Sequence, residues 1–168
     1  RDQRIKDNWA LIHGQDMSIQ LNQPLIVVFC LVPTFLQSAK RNFLFMLEGL
    51  KEVEQSLLKL QIPFYELSGN PEKEIPAFAE IKNAGAIVTD FDPLRIKQNW
   101  KTAIARQLNC QFVEVDTHNI VPCRMASEKQ EYGAYTIRKK IQKQLPEFLD
   151  TFPKIKKMNY NTAPVLWQ

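Results

Sequence analysis

An unbroken apolar run, Leu25-Ile-Val-Val-Phe-Cys-Leu-Val32, lies between Pro24 and Pro33 and constrains the fold more than any other segment. It is rich in β-favouring residues and shows no polar alternation, so it reads as a strand buried on both faces of a parallel sheet. It is also far shorter than the roughly 18–20 apolar residues a membrane span requires. A strand of this kind needs helices above and below it. The remaining sequence supplies them.

Upstream, Ile5, Trp9 and Ile12 recur at spacings of four and three, which predicts a helix over Arg4 to Leu21, capped by Asp2 and ended by Asn22 and Pro24. Downstream, Met46, Leu50, Val53, Leu57 and Leu60 mark the buried face of a long helix over Lys40 to Leu60. Pro63 to Leu67 reads as a short strand, and Ser68-Gly-Asn-Pro71 as a turn that opens the next helix, which carries Ile75, Phe78, Ala79 and Ile81. A strand at Ala86 to Thr89, a helix at Leu94 to Leu108 and a strand at Gln111 to Val115 follow. Ile137, Ile141, Leu145 and Phe148 mark a last helix with Pro146 inside it. Strands alternating with helices predict an α/β fold, doubly wound, with a mostly parallel sheet and helices on both faces, Rossmann-like. The reading is one domain over residues 1–152 and a linker or tail over residues 153–168.

Composition narrows the function. The 168 residues suffice for one domain with its own core, and 45% apolar content with 24% charge excludes a disordered chain. Three cysteines without a C-x-x-C spacing and two histidines leave no ordinary zinc site and point to a reducing, cytoplasmic compartment. No metal is expected, and no membrane association. A net charge of +4 would suit a nucleic-acid partner, but a mildly basic surface explains it equally. Five glycines, none arranged as G-x-G-x-x-G or as a P-loop, argue against a dinucleotide dehydrogenase or a nucleotide triphosphatase.

In an open parallel sheet, ligands sit beyond the carboxyl ends of the strands. Pro33 and Thr34 follow the Leu25 strand, Asp90, Phe91, Asp92, Leu94 and Arg95 follow the Ala86 strand, and Asp116 follows the Gln111 strand. Singly, the aspartates are explained as turn and capping residues. Together they outline a binding crevice with an apolar wall and a few polar groups. His118 has no nucleophile in a partner motif and reads as a structural loop histidine, so no catalytic residue is assigned. Arg138, Lys139, Lys140 and Lys143 read as a solvated face, and Trp9, Trp100 and Trp167 as packing residues.

Three segments carry a resemblance. They are Arg1-Asp-Gln-Arg-Ile-Lys-Asp-Asn-Trp-Ala-Leu11, Thr89-Asp-Phe-Asp-Pro-Leu-Arg95, and Val115-Asp-Thr-His-Asn-Ile-Val-Pro122 leading into Ala126-Ser-Glu-Lys-Gln-Glu-Tyr132 and Thr136-Ile-Arg138. In this order they resemble the N-terminal α/β domain of class II DNA photolyases, flavoprotein lyases that split cyclobutane pyrimidine dimers with light. The resemblance implies an antenna and scaffold domain for DNA repair that holds a light-harvesting chromophore, whether deazaflavin, folate or flavin. Arg4 joins the strand-end residues as a candidate contact. It also implies that FAD, and damaged DNA through it, belong to a helical partner domain, so that this chain alone has no repair activity. Alternative readings are a stand-alone ligand-binding or light-signalling module of the same fold, and a fragment with no activity of its own. In proteins of this kind a buried strand precedes the segment resembling Arg1 to Leu11. The resemblance therefore implies a sheet without its first strand. Its gap, between the Leu25 and Ala86 strands, is expected to close by direct pairing or by self-association through exchange between copies. The tail Ala163-Pro-Val-Leu-Trp167 ranks lower, because Pro164 suits no central strand.

Overall fold

A computed structural model describes residues 3–158 of the chain. Asp2, the expected helix cap, and the tail Ala163 to Trp167 lie outside the described residues. Helix α1 spans Trp9–Leu21, strand β1 Val27–Leu31, helix α2 Lys40–Lys59 and strand β2 Phe64–Ser68. Helix α3 spans Pro71–Ile81, strand β3 Ala86–Asp90, helix α4 Arg95–Ala105 and strand β4 Gln111–Val115. The short helix α5 (Cys123–Ala126) and the last helix α6 (Ala134–Phe148) complete the described elements, apart from one 3-10 turn at Phe35–Gln37.

The first helix starts at Trp9, not at Arg4. Asp7 sits at a positive φ of 54°, which no helix accepts, and Asn8 becomes the cap, its side chain accepting a hydrogen bond from the Leu11 amide. Helix α3 follows the predicted turn closely. Asn70 caps it through the Glu72 amide, and Pro71 fills the first helical position. Pro76 inside that helix has no N–H for the Glu72 carbonyl, and Gln107, just past α4, donates to that oxygen instead at 3.0 Å. Ile81, expected on the packed face of α3, is 79% exposed.

The strands form two parallel pairs. β1 pairs with β2, Val27 opposite Phe64, and β3 pairs with β4, Ala86 opposite Gln111. Val27, Phe29 and Phe64 pack with Leu50 and Leu57 of α2 and with Leu11 of α1. Tyr65 turns the other way, onto Phe78 of α3 with ring centroids 5.1 Å apart, and Glu114 meets Lys101 of α4. Helices therefore cover both faces, α1 and α2 on one and α3 and α4 on the other, and the doubly wound α/β fold stands.

The two pairs do not join. Among the described residues β1 and β3 share no ladder, so the expected direct pairing of the Leu25 and Ala86 strands does not occur. A cavity of about 510 Å³ lies between them. A second departure from the sequence reading is that every residue of β1 is half-buried, not buried, and Val27, Val28 and Phe29 line that cavity.

The core gathers on the β1–β2 side. Leu50, Leu57 and Ile62 are at most 2% exposed and cluster with Phe64 and Met158. The described part of the segment expected to be a tail lies on this core. The Met158 amide donates to the Leu60 carbonyl, and Gln15, buried in α1, pairs with both backbone groups of Lys156.

Candidate strand-end site

The carboxyl ends of β1, β3 and β4 converge as the sequence predicts, but they divide into two clusters. The first surrounds Asp90, the last residue of β3. Its Oδ1 accepts from the Thr117 hydroxyl at 2.5 Å and from the Thr117 amide at 3.3 Å, and its Oδ2 lies 3.4 Å from His118 Nε2. Arg4 closes the cluster by donating to the Thr117 carbonyl at 3.2 Å. Asp116 faces its own loop. It accepts from the His118, Asn119 and Cys123 amides and from the Asn119 side chain, and so shapes the turn into α5.

The second cluster spans from the β1 end to α4. Asp92 is 8% exposed and accepts from the Leu94 amide through its carboxylate, while Gln98 donates to its carbonyl. Beside it on α4 stands Lys97, its Nζ 4.9 Å from the ring centroids of both Phe35 and Trp100. Those two rings lie 5.9 Å apart and link the turn after Pro33 and Thr34 to α4. Burial lowers the Lys97 pKa against the opposing pull of Asp92. The neighbouring Cys30 thiol is pushed up to about 11, by burial first and then by Glu74. Lys101 stands over the Phe91 ring at 5.5 Å and pairs with Glu114, which Arg124 also meets at 3.0 Å.

Of the predicted residues, Arg4 and Asp90 meet through Thr117, Asp116 shapes its own loop, and Phe91 and Asp92 belong to the second cluster. Pro33, Thr34, Leu94 and Arg95 are exposed at its rim. Phe35, Lys97, Trp100 and Thr117 went unassigned as site residues. Phe35, one residue past Thr34, was the one within reach of the strand-end rule. Lys97 and Trp100 sit on a helix at a spacing that reads equally as amphipathic packing. Lys140 was read with its neighbours as solvated, yet it donates to Ser127 and Glu131, whereas Arg138, Lys139 and Lys143 are exposed. Among the described residues no cluster of side chains is suited to a metal ion, and no helix is long and apolar enough to cross a membrane.

Parallel strand pairs with helices on both faces place this domain in the doubly wound α/β class, in which ligands, where present, sit beyond the carboxyl ends of the strands. The family model for DNA photolyase matches residues 1–157, and the chain belongs to that family. Deoxyribodipyrimidine photo-lyase of Potorous tridactylus is 47% identical over 99% of this chain, and that of Arabidopsis thaliana 45% identical over 92%. A more distant relative of the same description, from Methanothermobacter thermautotrophicus, is 32% identical over 86% of the chain. The chain spans about a third of the length of the curated relatives it matches.

Proposed function

We infer that this chain is the antenna and scaffold domain of a deoxyribodipyrimidine photolyase, and that its strand-end crevice holds a light-harvesting chromophore. One observation carries the reading most of the way: 47% identity extends over 99% of the chain but over only 32% of a photo-lyase. The crevice is chemically suited to the task. Phe35 and Trp100 offer ring faces, Lys97 places a half-desolvated cation between them, and Asp92 supplies a buried carboxylate already held in place by α4. Deazaflavin, folate and flavin all have the planar, partly polar character such a site accepts.

When bound, the chromophore supplies absorption of light. The protein's own residues do the rest. The aromatic rings orient the planar group, Lys97 favours an electron-rich or anionic edge, and Pro33, Thr34, Leu94 and Arg95 form the rim. Repair chemistry, with FAD and damaged DNA, belongs to a helical domain in the longer enzyme. A photoreactivation assay tests this division of labour. The chain supplied with reduced FAD and light should leave pyrimidine dimers at the protein-free level, and light-dependent loss of dimers above that level overturns it.

A further inference from the structure

The last helix carries a pattern of charge and aromatic exposure that its packing does not require. Along α6, Tyr135, Arg138, Lys139, Gln142 and Lys143 fall at i, i+3, i+4, i+7 and i+8 and are all exposed, so they form one solvent-facing stripe. Between Lys129 and Glu147 the one acidic residue is Glu131, and Lys140, outside the stripe, binds it. Among the described residues, Arg138, Lys139 and Lys143 enter no ion pair. From the sequence alone this run reads as a solvated face, which cations suffice to make. The structure adds rings to it.

Two tyrosines stand at the amino end of the stripe, Tyr132 90% exposed and Tyr135 76% exposed, so neither serves the core. Both are nevertheless held. The Tyr135 ring lies along the backbone of Gly133, where a Cβ would come 2.7 Å from its Cε1, so a larger residue at 133 would displace it. Tyr132 sits between two anchored neighbours. Glu131 is bound to Lys140 and Ser127, and the Gly133 carbonyl accepts from the Thr136 hydroxyl at 2.7 Å. Exposed rings beside a row of cations provide what a single strand of nucleic acid needs: charge along its phosphates and faces on which unpaired bases stack. A duplex keeps its base faces inside the stack and would leave the rings without a role. A lipid surface calls for an apolar face, and the stripe has no aliphatic residue.

We propose that this face of α6 binds single-stranded nucleic acid, with Arg138, Lys139 and Lys143 against successive phosphates and Tyr132 and Tyr135 against unpaired bases. The surface shares no residue with the strand-end crevice and does not depend on a chromophore there. Each phosphate neutralised on a single strand contributes roughly 0.7 to the slope of log affinity against log salt, so three cations give a slope of about −2.

The test is a fluorescence-anisotropy titration of a labelled oligothymidine of about twelve nucleotides, repeated over a salt series. An abasic strand with the same number of phosphates and a duplex of the same length serve as comparisons. The oligothymidine is expected to bind at least fivefold more tightly than either. Exchanging Tyr132 and Tyr135 together for alanine should remove that preference and leave the affinity for the abasic strand unchanged. Exchanging Arg138, Lys139 and Lys143 together for glutamine should weaken all three at least tenfold and flatten the salt slope. All five side chains are exposed, so the variants should keep the circular dichroism spectrum of the parent chain. Equal affinity for the oligothymidine and the abasic strand, or for the duplex, overturns the proposal, because phosphates alone would then explain the binding. Absence of binding, or binding that the glutamine variant leaves intact, overturns it as well. Binding to phosphatidylserine vesicles but not to the oligothymidine assigns the face to a lipid surface and overturns the proposed partner.

Discussion

The two strand pairs share a register pattern and differ in almost everything else. The β1–β2 pair rests on a dense apolar cluster of Leu50, Leu57, Ile62, Phe64 and Met158. The β3–β4 pair has Ile104 as the buried residue of its own helix, and its strand ends hold the buried polar groups Asp92 and Thr117. The dense apolar cluster lies in one half of the molecule and the buried polar strand-end groups in the other. That division fits a domain whose ligand residues must be held by hydrogen bonds in particular orientations, something an apolar cluster cannot do.

The contrast predicts a graded set of effects. Leu57→Ala removes a side chain that is 1% exposed from the densest part of the core, and should cost about 3–5 kcal/mol of unfolding free energy in urea. Ile104→Ala, on the other half, should fall near the lower end of the usual range, about 2 kcal/mol. Equal losses would erase the distinction between the halves.

Asp90→Ala removes the acceptor for the Thr117 hydroxyl and amide, and should cost about 1–3 kcal/mol by leaving a buried threonine unpaired. Its signature should be local, with chemical-shift changes concentrated at residues 116–119, and shifts spread evenly into β1 and β2 would argue against a separate polar half. Asn8→Ala removes the cap of α1 and the Asn8 side-chain bond to the Arg4 carbonyl, with an expected loss of about 1 kcal/mol.

The smallest expected effect lies outside both halves. The Glu131 carboxyl is held down to about 2, first by the hydrogen bond from Lys140 and then by those from Thr136 and Ser127. A depressed folded pKa stabilises above the ordinary carboxylate value and is lost as pH falls toward the folded one. The attachment of the 127–133 loop to α6 should therefore loosen between about pH 4.5 and 2. An NMR titration of Glu131 with its midpoint near 4.5 would contradict this, and Glu131→Gln should remove the acid-dependent step.

Much of this arrangement was legible in the sequence, for identifiable reasons. The long helix at Lys40 and the strand at Gln111 carry undisturbed periodicity, and the structure returns them nearly residue for residue. The start of α1 was misplaced because Ile5 continues the apolar spacing, while the decisive event, the backbone turn at Asp7, leaves no mark in hydrophobicity. The burial of β1 was overestimated because an apolar run reports what a strand can tolerate, not whether a neighbour is present. At the candidate site, the strand-end rule pointed to Asp90, Phe91 and Asp92, which the fold does place at the end of β3. It missed Lys97 and Trp100, whose convergence with Phe35 is a tertiary contact between residues about sixty positions apart.

The central claim is that the crevice between Phe35, Lys97 and Trp100 holds a chromophore, and a fluorescence titration of the folded chain with deazaflavin, folate and flavin tests it most directly. Comparison with Trp100→Phe isolates the signal of that tryptophan. The account predicts saturable quenching of Trp100 by at least one of the three, weakened at least tenfold in Lys97→Ala. No saturable binding of any of them, or binding that Lys97→Ala leaves unchanged, would contradict it.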